Sequence, residues 1–137
     1  MTYTFFVVGD PRTKGSKSLY RMPNGRYRMV EAGGNKLKKW MRSVEDRALH
    51  TFKKPIEGAI RVDCCFQFKR PKSVKNRPIP HVRPDLDKLL RAINDALTGV
   101  AFKDDAQVTK IVATKRYTES DAGCLISVSE DRLHIVQ

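Results

Sequence analysis

Five aspartates stand close together in one part of this chain. Asp85 and Asp87 lie in Arg83-Pro84-Asp85-Leu86-Asp87-Lys88-Leu89-Leu90-Arg91, Asp95 follows, and Asp104-Asp105 lie in Phe102-Lys103-Asp104-Asp105-Ala106-Gln107. Carboxylates crowded at one point repel, and their pKa values rise unless a cation sits between them. A small set of hard oxygen ligands suits Mg²⁺, which keeps several waters and bridges to a phosphate. A metal held in this way polarises a scissile phosphate, helps generate hydroxide and stabilises the leaving oxyanion. A structural account competes with this one. Asp85 falls where a helix N-cap belongs, a role worth about 1 kcal/mol, and Asp87 complements the helix dipole. Capping does not explain those two together with Asp104-Asp105, which follow a short loop after the helix. If the first turn and the end of that loop meet, three or four carboxylates share one site.

On a helix, Arg91 lies one turn beyond Asp87 on the same face, and Asp95 lies one turn further. One reading is a ladder of i,i+4 ion pairs worth a few tenths of a kcal/mol each. The other puts the guanidinium over a phosphate being cut, where charge develops in the transition state. A guanidinium is no proton donor, since it stays charged in proteins. The two readings are compatible, and both stand.

The acids are set in a basic chain of 137 residues with a net charge of +12, of which 40% is apolar. That length suits a single core in one domain, residues 1–137. Residues 1–80 hold 19 Lys/Arg against 6 Asp/Glu, whereas residues 81–137 hold 8 against 9. The imbalance points to an anionic partner for the first part and different chemistry in the second. A merely solvated basic surface would explain the charge alone. An RNA-binding or ribosome-associated protein would too, but it gives no reason for clustered acids. Cys64, Cys65 and Cys124 show no zinc spacing and read as reduced core or surface thiols. His50 and His134 have no partner spacing, and His81, next to the acidic motif, could touch a leaving group, although a lone loop histidine is more often incidental. No leader is expected, and no apolar run approaches the roughly 20 residues that cross a bilayer. The expectation is a cytoplasmic protein with no membrane partner.

Several elements must position these groups. Tyr3 to Val8 reads as a strand that ends at Gly9-Asp10-Pro11. Residues 10–34 form a basic hairpin loop, with runs 18–22 and 26–30 flanking Pro23-Asn24-Gly25. Tyr20 and Tyr27 lie among its cations, where they could stack on bases or ribose or stand as ordinary surface tyrosines. Leu37, Trp40, Met41, Val44, Ala48 and Phe52 make a helical stripe, with Asn35 as N-cap. Residues 59–69 alternate as a half-buried strand. Residues 70–84, with four prolines and Arg70, Lys72, Lys75, Arg77 and Arg83, read as an extended basic arm, either a DNA-facing flap or a linker. A second helix from Leu86 to Thr98 closes at Gly99. A strand over 106–117 and a partner strand, Cys124 to Val128, follow. The order suggests an α+β fold, one mixed β-sheet with two helices packed on it.

Asp85-Leu86-Asp87, the basic residue at 91, Asp95-Ala96-Leu97 and Asp104-Asp105-Ala106-Gln107-Val108 together resemble the RusA family of Holliday-junction resolvases, common in phages and prophages. The match is tight over about 85–108, and the looser order of elements before it is also similar. The resemblance implies a RusA-like fold and a homodimeric endodeoxyribonuclease, dependent on Mg²⁺ with Mn²⁺ as a substitute. Such an enzyme resolves four-way or branched DNA by paired nicks in recombination and repair. It carries metal-binding and catalytic roles onto Asp85, Asp87 and Asp105, with Asp104 the weaker neighbour. Members usually have Asn directly after the second motif Asp and Lys one turn later; here these are Lys88 and Arg91. The lysine's role therefore falls to Lys88, to Arg91 or to neither. Candidate DNA contacts are Arg12, Lys14, Lys17, Lys72, Lys75, Arg77 and Lys88. The alternative is a non-catalytic junction-binding protein on the same fold.

Overall fold

Phe5 and Val7 alternate with more exposed neighbours in β1 (Thr2–Val8), and Ile60, Val62, Cys64 and Phe66 do so in β4 (Ile60–Lys69). Period-two burial of this kind covers one face of a sheet and leaves the other open. The computed structural model describes residues 1–15, 17–31 and 34–133. Its main sheet has the order β1-β6-β4-β5, with β5 at Val108–Thr118 and β6 at Gly123–Glu130. Between β1 and β4 come a small hairpin, β2 (Lys17–Arg21) with β3 (Tyr27–Glu31), and helix α1 (Gly34–Thr51). Helix α2 (Leu86–Leu97) joins β4 to β5, which run parallel to each other. The architecture is α+β, a mixed sheet with two helices.

Leu37, Trp40, Val44 and Ala48 of α1 and Leu89, Ala92, Ile93, Ala96 and Leu97 of α2 are buried in one cluster with the inward residues of β1, β4 and β6. Each set recurs at the three-to-four-residue spacing that makes a single helical stripe. The two helices pack on each other, α1 also on β1 and α2 on β5. The α1 helix begins at Gly34, so Asn35 lies inside its first turn and is not the cap. Gly99 ends the second helix at a φ of +90°, a conformation that favours glycine.

Cys124 is completely buried, and burial pushes its thiol well above the ordinary range. Cys64 is buried and Cys65 half-buried, and all three cysteines are free. Among the described residues, no helix is long and apolar enough to cross a membrane.

One expectation is overturned. The strand after residue 120 does not pair with β5; it lies between β1 and β4, antiparallel to both. Burial explains the choice. Cys124, Ile126 and Val128 are fully buried and belong in the middle of a sheet, whereas β5 carries Lys110, Lys115 and Arg116 and suits an edge.

The same topology orients the site. Because β6 is antiparallel to β1 and to β4, and β5 is parallel to β4, strands β1, β4 and β5 all run the same way. The loops at 9–15 and 70–85 therefore leave from one shared, carboxyl-terminal edge.

Candidate active site

The carboxyl-terminal edge holds an open cleft of about 600 Å³. Asp10, Arg12 and Thr13 come to it from the loop after β1, Phe68 from β4, Arg83 from the arm, and Asp85 and Lys88 from the start of α2. Ligands in open α/β sheets settle outside the carboxyl ends of strands, where diverging loops leave a crevice. The Asp10 loop turns in at Gly9, where a Cβ would stand 3.1 Å from the Trp40 ring. The loop is then tied down twice. The Lys14 backbone N–H donates to Lys88 O at 3.1 Å, and Lys14 Nζ lies 2.7 Å from Asp95 Oδ2.

Asp85 occupies the N-cap position of α2 but makes no side-chain capping bond. Its half-exposed carboxylate instead lies 3.4 Å from Lys88 Nζ, in the cleft. The chain just ahead of it is fixed by Lys115, whose Nζ donates to Val82 O at 2.7 Å and Pro84 O at 2.9 Å. Asp10 is paired with Arg12. Asp87 is exposed on the first turn of α2 and does not line the cleft, and Arg91 is exposed on the same helix. The expected Asp87–Arg91–Asp95 ladder does not form at its far end, because Asp95 is taken by Lys14.

Asp104 and Asp105 separate cleanly. The Asp104 carboxylate caps the short 3-10 turn Asp105–Gln107, accepting from Ala106 N at 2.9 Å, and Gln107 returns a bond to the Asp104 N–H. Gln107 Nε2 also donates to Ile56 O and Gly58 O, each at 3.0 Å, fastening this turn to the chain ahead of β4. Asp105 is exposed. Asp104→Ala is expected to lower unfolding stability by about 1 kcal/mol, read by urea denaturation. Asp104→Asn keeps an acceptor and should stay near the parent; equal losses in both would remove the cap as the cause.

The three expected metal ligands are not brought together within one chain. Ile60 is paired with Val108, just after Asp105, while Phe68, which shares the cleft with Asp85, is paired with Tyr117. Eight residues of extended strand separate those levels, roughly 25 Å at about 3.3 Å per residue. Helix α2, antiparallel to the strands it joins, carries the chain from one edge to the other. Among the described residues, no group of three acids, histidines or cysteines is placed to hold a metal ion. The contact expected between the first turn of α2 and the loop after it fails for that reason: a 12-residue helix keeps its two ends about 18 Å apart.

The basic candidates divide by role. Arg12 and Lys88 line the cleft; Lys72 and Lys75 are exposed on the arm. Arg77 Nε donates to Tyr117 Oη at 2.8 Å, and the Arg70 guanidinium lies 5.0 Å from the centre of the same ring. The arm has no regular structure, yet it is pinned along β5 by Tyr117 and Lys115 and is not a free flap. The side chain of Lys17, and His134, lie outside the described residues. Sequence reasoning passed over Asp10 and Lys115, and counted Arg83 only among the cations of the arm. Asp10 was visible only as the end of a strand, and the pairing that places Lys115 next to the arm is long-range.

The family profile described as "Endodeoxyribonuclease RusA" matches residues 11–129. A Bacillus subtilis (strain 168) protein named "Uncharacterized protein YqaN" is 28% identical over 127 residues, covering 84% of this chain and 87% of that one.

Proposed function

This chain belongs to the RusA family of endodeoxyribonucleases, and from that premise we propose that it is a Mg²⁺-dependent enzyme that resolves four-way DNA junctions by paired nicks, acting as a homodimer in recombination and repair. The observation that carries the reading is the Asp85 carboxylate. It occupies a cap position without capping, in an open cleft walled by Arg12, Arg83 and Lys88. An acid released from structural work and ringed by cations suits a site that must meet both a metal and a phosphate.

The donor set fits Mg²⁺, which binds through one or two protein carboxylates and completes its shell with water and phosphate oxygens. Asp85 and Asp87 would hold it from one subunit, with Mn²⁺ able to take its place. When bound, the ion would polarise the scissile phosphate and supply hydroxide for attack. Arg12 and Arg83 grip the flanking phosphates, and the loop after β1 keeps the backbone in register through its ties to α2. Lys88, in the cleft beside Asp85, is better placed than Arg91 to stabilise charge on the phosphate, so the position after Asp87 takes over the family lysine's task. Arg91, exposed one turn on, contacts the neighbouring backbone.

Asp105 can join Asp85 and Asp87 only from a second copy of the chain, since it sits at the opposite edge of its own sheet. A two-fold dimer that lays the amino-terminal edge of one subunit against the carboxyl-terminal edge of the other makes two identical sites. Two sites related by two-fold symmetry match a junction that must be cut in two symmetric strands.

The direct test is cleavage of a synthetic four-way junction, a linear duplex and a single strand, each with and without Mg²⁺. Symmetric nicks in the junction alone, and only with metal, are expected. Tight, salt-sensitive junction binding without product in Mg²⁺ or Mn²⁺ would instead make the chain a non-catalytic binder.

A further inference from the structure

The β2–β3 hairpin exposes four large side chains, Leu19, Tyr20, Tyr27 and Met29, each more than half accessible. Its strands pair with each other and make no extensive contact with another helix or strand among the described residues. A two-stranded ribbon with no core of its own is marginal in water, and bare aromatic surface on it calls for a partner.

The register sorts these side chains by face. Leu19 is opposite Met29 and Arg21 opposite Tyr27, which puts those four on one face. Tyr20 is opposite Arg28, on the other face. Each face therefore carries one tyrosine directly across from one arginine. The turn between them is tight, closed by Gly25 N–H to Met22 O at 2.9 Å and by Arg26 N–H to Asn24 Oδ1 at 3.0 Å. The result is a thin blade with an aromatic ring on both sides and cations beside each ring. It joins the body through the same loop that brings Asp10, Arg12 and Thr13 to the cleft.

We infer that this hairpin enters the open centre of branched DNA, stacking Tyr20 and Tyr27 on the base pairs that end two neighbouring arms, while Arg21 and Arg28 hold the adjoining phosphates. Base–aromatic stacking tolerates any sequence, because every base has a π-face. A continuous duplex offers no such ends without being unstacked, whereas a branch point presents them. Two ringed faces suit a gap between two stacks, and the flanking arginines match the charge of the backbone. The inference rests on the DNA-junction reading above and adds to it the element that tells a branch from a duplex.

The test uses the full-length protein, a chelator to prevent cutting, and two probes of the same arm sequence: a four-way junction with 2-aminopurine at the branch point, and a linear duplex. The parent should brighten the branch-point base and prefer the junction. The double variant Tyr20→Ala/Tyr27→Ala should lose about tenfold or more in junction affinity, keep its duplex affinity within about twofold, and lose the brightening. Tyr20→Phe/Tyr27→Phe should behave as the parent, since the rings remain. Arg21→Gln/Arg28→Gln should weaken both probes together and flatten the salt dependence. Equal losses on junction and duplex in the alanine variant, retained brightening, or a change in oligomeric state showing that the hairpin packs on a second copy would each overturn the inference. Cleavage keeps the two readings apart. A parent that cuts junctions, with an alanine variant of unchanged preference, sinks the blade and leaves the nuclease; a parent that brightens the branch point but never cuts does the reverse.

Discussion

Asp85→Asn is expected to lower Mg²⁺-dependent junction cleavage by about a thousandfold while leaving junction binding intact, and Asp87→Asn to do the same. The magnitude follows from what a bound metal contributes, several kcal/mol of transition-state stabilisation, at about 1.4 kcal/mol per tenfold in rate. Folding should hardly change. Asp85 makes no capping bond, so exchanging its carboxylate for an amide removes none, and its exposed pair with Lys88 is of the kind worth under about 1 kcal/mol. Binding should stay level or tighten, because a negative charge leaves a surface that meets phosphate. Single-turnover cleavage, a gel-shift measurement and a thermal melt on the same samples check all three statements. Variants that cut at the parental rate would take the metal away from these residues, and the catalytic assignment with it.

A second result distinguishes a site within one chain from a site shared by two. Asp105→Asn alone, and Asp85→Asn/Asp87→Asn alone, should each be inactive. Mixed and allowed to exchange subunits, they should regain cleavage. In the heterodimer, one site then combines intact Asp85 and Asp87 of the first subunit with intact Asp105 of the partner subunit, while the other site lacks all three. About half of a statistically exchanged mixture would be heterodimer with one working site, so roughly a quarter of the parental site activity is the ceiling expected from two-fold assembly. The product should be junctions nicked in one strand, since paired cuts need two working sites. If Asp105 served the acids of its own subunit, no combination of these two variants would contain an intact set, and mixing would restore nothing. The geometry favours the shared site, because Gln107 fastens the Asp105 turn beside Ile56 and Gly58 while Asp85 lies level with Phe68.

The helices and their buried stripes were legible because the periodicity of Leu37, Trp40, Val44 and Ala48, and of Leu89, Ile93 and Leu97, is a local property of consecutive residues. The hairpin around Pro23-Asn24-Gly25 was legible for a similar reason: positive φ at Gly25 is a demand that the turn itself makes. Strand pairing was not. The strand Cys124 to Val128 was expected beside its nearest neighbour in sequence, whereas the full burial of Cys124, Ile126 and Val128 sends it between β1 and β4. The acids divide along the same line. That Asp85 begins a helix could be read from its neighbours; that its carboxylate is left uncapped while the Asp104 carboxylate caps could not, because both satisfy the same residue preference.

The amino-acid sequence by itself determined the chemical inventory: acids in one stretch, cations spread ahead of them, and a spacing of motif residues that matched one family of nucleases. Those are facts about composition and order along the chain, and no folding can alter them. Tertiary structure alone decided which of these groups meet. Parallel β4 and β5, joined by a helix of fixed rise, carry Asp105 to the far edge of the sheet from Asp85, so residues about twenty apart in sequence end up a whole strand apart in space. The physical reason is that a regular element is a rigid rod, and two groups placed at its opposite ends cannot share an ion unless another copy of the molecule brings its own.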